Sequence, residues 1–125
     1  MKHHFPALLA LLLAAAALPS RANVIEVEWT PDGSFQLKRS VQPGKLVEAC
    51  AKLPAGARVD WAYEAHMPLD FNIHYHVGKD VVYPKQLKHT SAAKGTLAID
   101  LEQDYCWMWT NKNKAEAELS VTLRR

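Results

Sequence analysis

The chain has 125 residues, with 15 Lys and Arg against 13 Asp and Glu, two cysteines and 49% apolar residues. That length supports one domain of ordinary size and excludes a second. The balanced charge excludes a nucleic-acid binder of the basic-stripe type, because Arg124-Arg125 alone makes no phosphate-binding patch.

The first residues read as an export signal. Lys2 gives a basic start, Ala7 to Leu18 is an unbroken apolar run, and Ser20 and Ala22 provide the small residues a signal peptidase requires. Residues 1–22 are expected to be cleaved as a signal peptide, leaving 23–125 as a single domain in the periplasm or outside the cell. The apolar run is too short to cross a ~30 Å hydrocarbon core as a helix, so no membrane span is expected after cleavage. Lys2 and Arg21 leave with the signal, and the mature domain carries equal numbers of basic and acidic side chains. In an oxidising compartment Cys50 and Cys106 are expected to form one disulfide. The bridge restricts the unfolded chain by about 4 kcal/mol in the loop-entropy account.

Along the mature chain the apolar residues alternate with polar ones, and turn residues interrupt every eight to twelve positions or so, the pattern of an all-β domain. Ile25, Val27 and Trp29 form the first such face, and Pro31-Asp32-Gly33 turns the chain. Phe35 and Leu37 follow, then Val47, Ala49 and Ala51, then Val59, Trp61 and Tyr63. Leu69, Phe71, Ile73, Tyr75 and Val77 form the clearest apolar face, opposite Asp70, Asn72, His74 and His76. Val81 to Tyr83 reads as a short strand stopped by Pro84, and the polar stretch Lys85 to Gly95 reads as a loop. Leu97 to Leu101, Tyr105 to Trp109 and Ala117 to Leu123 complete about eight short strands. The expected architecture is an antiparallel β-sandwich, with a small barrel as the alternative.

From Cys50 onward the chain resembles the GOLD domain, the lumenal β-sandwich of eukaryotic early-secretory-pathway cargo proteins. The resemblance rests on Leu69-Asp70-Phe71-Asn72-Ile73, on Tyr105-Cys106-Trp107-Met108-Trp109-Thr110-Asn111, and on a cysteine early in the domain. It implies a GOLD-like sandwich with Cys50 bridged to Cys106. The family's glycine before the tyrosine is missing, its place held by Glu102 and Gln103, and the family's coiled coil and membrane span have no counterpart. The trafficking role therefore does not carry over, and the fold itself implies little beyond binding.

The most distinctive chemical feature is His74-Tyr75-His76. On a strand the two imidazoles project from one face about 7 Å apart, a spacing that suits two ligands to one metal ion. Imidazole serves copper and zinc alike, and Met108, outward by the same alternation, would add a thioether that favours Cu(I). His74, His76 and Met108 are therefore the candidate ligands for Cu(I), Cu(II) or Zn(II), with copper first. The competing reading is a pair of solvated histidines, with Met108 covering the disulfide. His66 and His89 are further ligand candidates, each more simply a loop residue. No nucleophile elbow, zinc-protease helix motif or phosphate loop occurs, and the protein is expected to be non-enzymatic. Its expected partner is a metal ion or, in the alternative, another envelope protein bound through exposed aromatic rings.

Overall fold

The computed structural model describes residues 23–125, so the signal-peptide expectation lies outside the described residues. Among the described residues there are seven strands: β1 (Asn23–Glu26), β2 (Ser34–Val41), β3 (Leu46–Leu53), β4 (Arg58–Val77), β5 (Asp80–Ala98), β6 (Gln103–Thr110) and β7 (Ala117–Arg124). The all-β expectation holds. No helix among the described residues is long and apolar enough to cross a membrane.

The strands form one connected sheet in the order β1-β3-β6-β4-β7-β2, with β5 paired to the other edge of β4. Pairing is antiparallel throughout except for β1 beside β3. The connection comes from β4, which serves two neighbours along one edge. Its first half, Asp60 to Ala65, pairs with β7, and its second half, Asp70 to His74, pairs with β6. The sheet therefore curls into a half-barrel and closes its inward face over a single core.

The bend between the two halves has a local cause. From Glu64 to Leu69 the pairing advances five residues along β4 and only two along β5, from Ala92 to Thr90. The surplus segment contains Pro68, which has no N–H to give to a ladder. Two contacts clamp it: the Glu118 N–H donates to His66 Nδ1 at 2.8 Å, and the Asn113 side-chain amide donates to the Pro68 carbonyl at 2.7 Å. His66 thus serves the bend and is not part of the His74 face.

Two expected strands and a loop are continuous in the structure. Lys85 to Gly95 extends β5 along β4, and Pro84 does not end the strand. Pro84 is accommodated because β5 pairs on one side only and bulges there, with Ile73 opposite Lys85 but Tyr75 opposite Val82. A second bulge falls between Leu87 and Thr90, where His89 adopts a left-handed backbone at φ 50°. The Asp70 carboxylate accepts the His89 N–H at 2.9 Å and an ion pair from Lys112 at 2.8 Å. Those partners, Lys112 first, hold Asp70 below the ordinary carboxylate range. His66 Nδ1 is thereby engaged in the bend, and the His89 backbone stands at the second bulge.

The inward face carries the alternating residues read from the sequence. Val47, Ala49, Val59, Leu69, Phe71, Ile73, Trp107, Trp109, Leu119 and Leu123 are almost wholly buried in one cluster. Phe71 stands at its centre, with ring centroids 5.0 Å from Trp61, 4.8 Å from Tyr63 and 5.4 Å from Trp109. Such pairs contribute about 0.5–1.5 kcal/mol each beyond burial. The aromatic rings expected to form an external docking platform in the alternative reading are therefore mostly core.

Asn111, the last residue of the motif that begins at Tyr105, is fully buried. Its amide donates 2.8 Å bonds to the carbonyls of Val41 and Ala115, and its carbonyl oxygen accepts from the Asn113 backbone at 2.9 Å. One side chain thereby ties the end of β2 to the β6–β7 connection. Truncation leaves buried backbone groups unpaired, at a cost of about 1–3 kcal/mol for each. Asn111→Ala is expected to lower stability by about 2 kcal/mol or more, a fall of at least about 8 °C in Tm for a domain of this size. An unchanged thermal midpoint would contradict the role assigned to this side chain.

Candidate metal centre on the outward sheet face

The outward face of β3, β6 and β4 is built by register. Cys50 lies directly opposite Cys106, and Cys106 directly opposite His74. One pair further along, Glu48 lies opposite Met108 and Met108 opposite Asn72. Both rows point outward, because each of these residues alternates with a buried neighbour. The β4 and β6 strands that carry His74 and Met108 are thus adjacent, an adjacency that the sequence leaves open. The Cys50–Cys106 disulfide is formed, with Cα atoms 4.1 Å apart.

His74 is not a solvated strand histidine: only 5% of its surface is exposed. Its ring is flanked by His76, with centroids 5.3 Å apart and planes nearly perpendicular, and by Tyr83 of β5 at 6.0 Å. The disulfide lies across from it. The outward face is therefore dry at this point, while His76 remains exposed. The physical reason is cover: β5 folds back beside β4, and the disulfide fills the other flank.

The tautomer of His74 follows from its partner. Asn72 Oδ1 lies 2.8 Å from His74 Nδ1, and an amide oxygen only accepts. Nδ1 therefore carries the proton and Nε2 keeps its lone pair. An outer hydrogen bond of this kind also fixes the ring plane of a metal-binding histidine. Burial pushes the His74 pKa below its ordinary value of 6.5, the nearby Glu48 carboxylate opposes that shift, and His76 adds to it. The neutral ring is the form a metal needs.

Glu48 supplies what the sequence did not single out. Its carboxylate, His74 and Cys106 each offer a donor atom, and all three atoms lie within 4.8 Å of one another. Glu48 Oε1 also sits 3.6 Å from Cys50 Sγ. That sulfur is in the disulfide and has no proton to donate, so this is a contact and not a hydrogen bond. The only trace of Glu48 in the sequence is its outward phase beside Cys50. The register across β6 places it on the same face as His74, one strand beyond β6. Met108 is half-buried, diagonal to His74 and level with Glu48. Glu48, His74, His76 and Met108 thus share one face of the sheet, with Met108, opposite Asn72, and His76 on opposite flanks of His74.

A separate apolar patch marks the tip of the β4–β5 hairpin. Gly78-Lys79 forms a two-residue turn, with Gly78 at φ 59° as the first central position of this tight hairpin type requires. Around it Val77, Val81, Val82 and Tyr83 are all more than a third exposed.

No protein-family model and no curated protein matches the chain. Solved structures do. The periplasmic inhibitor of g-type lysozyme, PliG, from Aeromonas hydrophila superposes with a TM-score of 0.56 at 14% identity, covering 82% of this chain and 95% of that one. PliG from Salmonella Typhimurium gives 0.55 at 14% identity over 82% and 97%. The pre-peptidase C-terminal domain of a Bacillus anthracis collagenase gives 0.55 at 10% identity over 87% and 100%. At these identities the likeness is one of fold, a small curled all-β domain.

The depressed basicity of His74 has a measurable consequence. A base whose folded pKa lies below its unfolded value loses protons on folding. The stability it supports is complete above about pH 6.5 and is lost as pH falls through the folded pKa. An NMR titration is expected to show the His74 ring protonating below the ordinary value of 6.5. In His74→Asn the corresponding loss of stability on mild acidification is expected to vanish. A His74 ring that protonates at or above 6.5 would contradict its burial.

Proposed function

We propose that the protein is a non-enzymatic exported binding domain that holds a transition metal, copper first, on the outward face of β3, β6 and β4. The ligands are His74 through Nε2 and His76, with Met108 in support and Glu48 as the added donor. The observation that carries this reading is the buried His74, oriented by Asn72 and set beside a carboxylate. Glu48 shifts the preference within copper. A carboxylate and two imidazoles suit Cu(II), and Zn(II) after it, better than the thioether-led Cu(I) site expected from His74, His76 and Met108 alone.

Export, a GOLD-like architecture and a periplasmic location belong to the same reading. The Cys50–Cys106 bridge is the one the GOLD resemblance implies. The PliG neighbours are periplasmic inhibitor proteins, so this kind of fold serves binding there. That likeness supports a binding role over catalysis here.

A second reading is favoured by one observation, the exposed apolar hairpin tip formed by Val77, Val81, Val82 and Tyr83. In that case the domain docks on another envelope protein through the tip, and the imidazoles only border the contact.

Metal titration with thermal unfolding separates the two. A ligand that binds only the folded state stabilises it by about 2.7 kcal/mol at a hundredfold excess over Kd. The purified oxidised protein is expected to gain thermal stability with Cu(II) and less with Zn(II). His74→Ala and His76→Ala should each weaken binding at least tenfold. No shift with Cu(I), Cu(II) or Zn(II) would reject the metal reading and leave the hairpin tip as the binding element.

A further inference from the structure

The donor atoms of Glu48, His74 and Cys106 are already gathered within 4.8 Å of one another. In the disulfide the Cys106 sulfur is a poor ligand, whereas a thiolate is among the strongest for Zn(II) and Cu(I). Bonds of about 2.0–2.3 Å in a tetrahedral zinc centre space the ligand atoms roughly 3.3–3.8 Å apart. The three donors therefore need to close by only about an ångström. Cys50, whose Cα is 4.1 Å from that of Cys106, brings a second sulfur to the same place. His74 keeps its lone pair on Nε2 because Asn72 holds the Nδ1 proton.

From this juxtaposition we infer that the Cys50–Cys106 disulfide masks a second, thiolate metal site, made of Cys50, Cys106, His74 and Glu48, which opens to Zn(II) when the bridge is reduced. It shares His74 and Glu48 with the oxidised-state site proposed above but uses neither His76 nor Met108. The eight residue pairs that hold β3 against β6 remain to keep the two thiols together once the covalent bond is gone.

The reductant is a dithiol. Its thiolate attacks Sγ of Cys50, the less buried of the two cysteines. The S–S bond breaks, a mixed disulfide forms on Cys50, and the electron pair leaves on Cys106 Sγ beside His74. The second thiol of the reductant then attacks its own sulfur in the mixed disulfide and releases Cys50 as a thiolate. Two electrons pass to the protein, and the reductant departs as a disulfide. The metal then binds two thiolates in place of the two protons that thiols would carry.

The test is an anaerobic titration with Co(II), then Zn(II), of the protein reduced with a phosphine and freed from it, beside the oxidised protein. The reduced protein is expected to develop a thiolate-to-cobalt charge-transfer absorption that Zn(II) abolishes. It should also bind Zn(II) at least tenfold more tightly than the oxidised protein does. His74→Ala should weaken that binding at least tenfold and Glu48→Gln severalfold, with His76→Ala and Met108→Leu unchanged. Where reduction unfolds the chain, Zn(II) should restore its β-sheet circular dichroism in the wild type and not in His74→Ala. No charge-transfer band, an affinity indifferent to His74, or a reduced chain that zinc leaves unfolded would each overturn the inference. The oxidised protein's own response reports only on the site that uses His76 and Met108, so either site can fail without the other.

Discussion

The bond between Cys50 and Cys106 fixes the register of β3 against β6, and the outward face depends on that register. Because β4 pairs with the other edge of β6, the same row brings His74 opposite Cys106. A slip of β6 by one residue would turn Cys106 and Met108 inward and expose Trp107 and Trp109 to water. The two indoles are buried completely, so such a slip would expose a large apolar area at roughly 25 cal/mol per Å². The hydrophobic core and the disulfide therefore specify one arrangement together, and the polar cluster is a consequence of both.

The bend of β4 gives the second constraint. A straight strand of this length would continue along one neighbour and leave a flat sheet. The surplus residues around Pro68, clamped by Asn113 and by the Glu118 N–H on His66, send the second half of β4 to β6. β5 follows β4 through its own bulges, and its Tyr83 reaches the flank of His74. Burial of that imidazole, and with it the lowered basicity, thus traces back to backbone irregularities at Pro68 and Pro84.

Much of this was legible in the sequence, and the limits have physical causes. Side-chain alternation follows from strand geometry alone, so the inward set from Val47 to Leu123 and the outward phase of His74, His76 and Met108 were readable. The polar stretch from Lys85 to Gly95 gave no such signal. β5 is an edge strand with both faces largely exposed, and its extended form is imposed by the ladder to β4. Nothing in the local pattern marks Asn111 as buried, because polar lysines follow it, although its own side chain is the link between two connections. Glu48 was indistinguishable from any outward glutamate, since its role comes from a neighbour two strands away. Pairing between distant strands, not local pattern, decides such sites.

The most direct test of the metal-binding face is anomalous X-ray scattering from crystals of the oxidised protein grown with Cu(II). The account predicts an anomalous peak on the outward face of β3, β6 and β4, within bonding distance of His74 Nε2 and bordered by Glu48 and His76. A peak elsewhere with none at His74, or none at all under saturating copper, would contradict it.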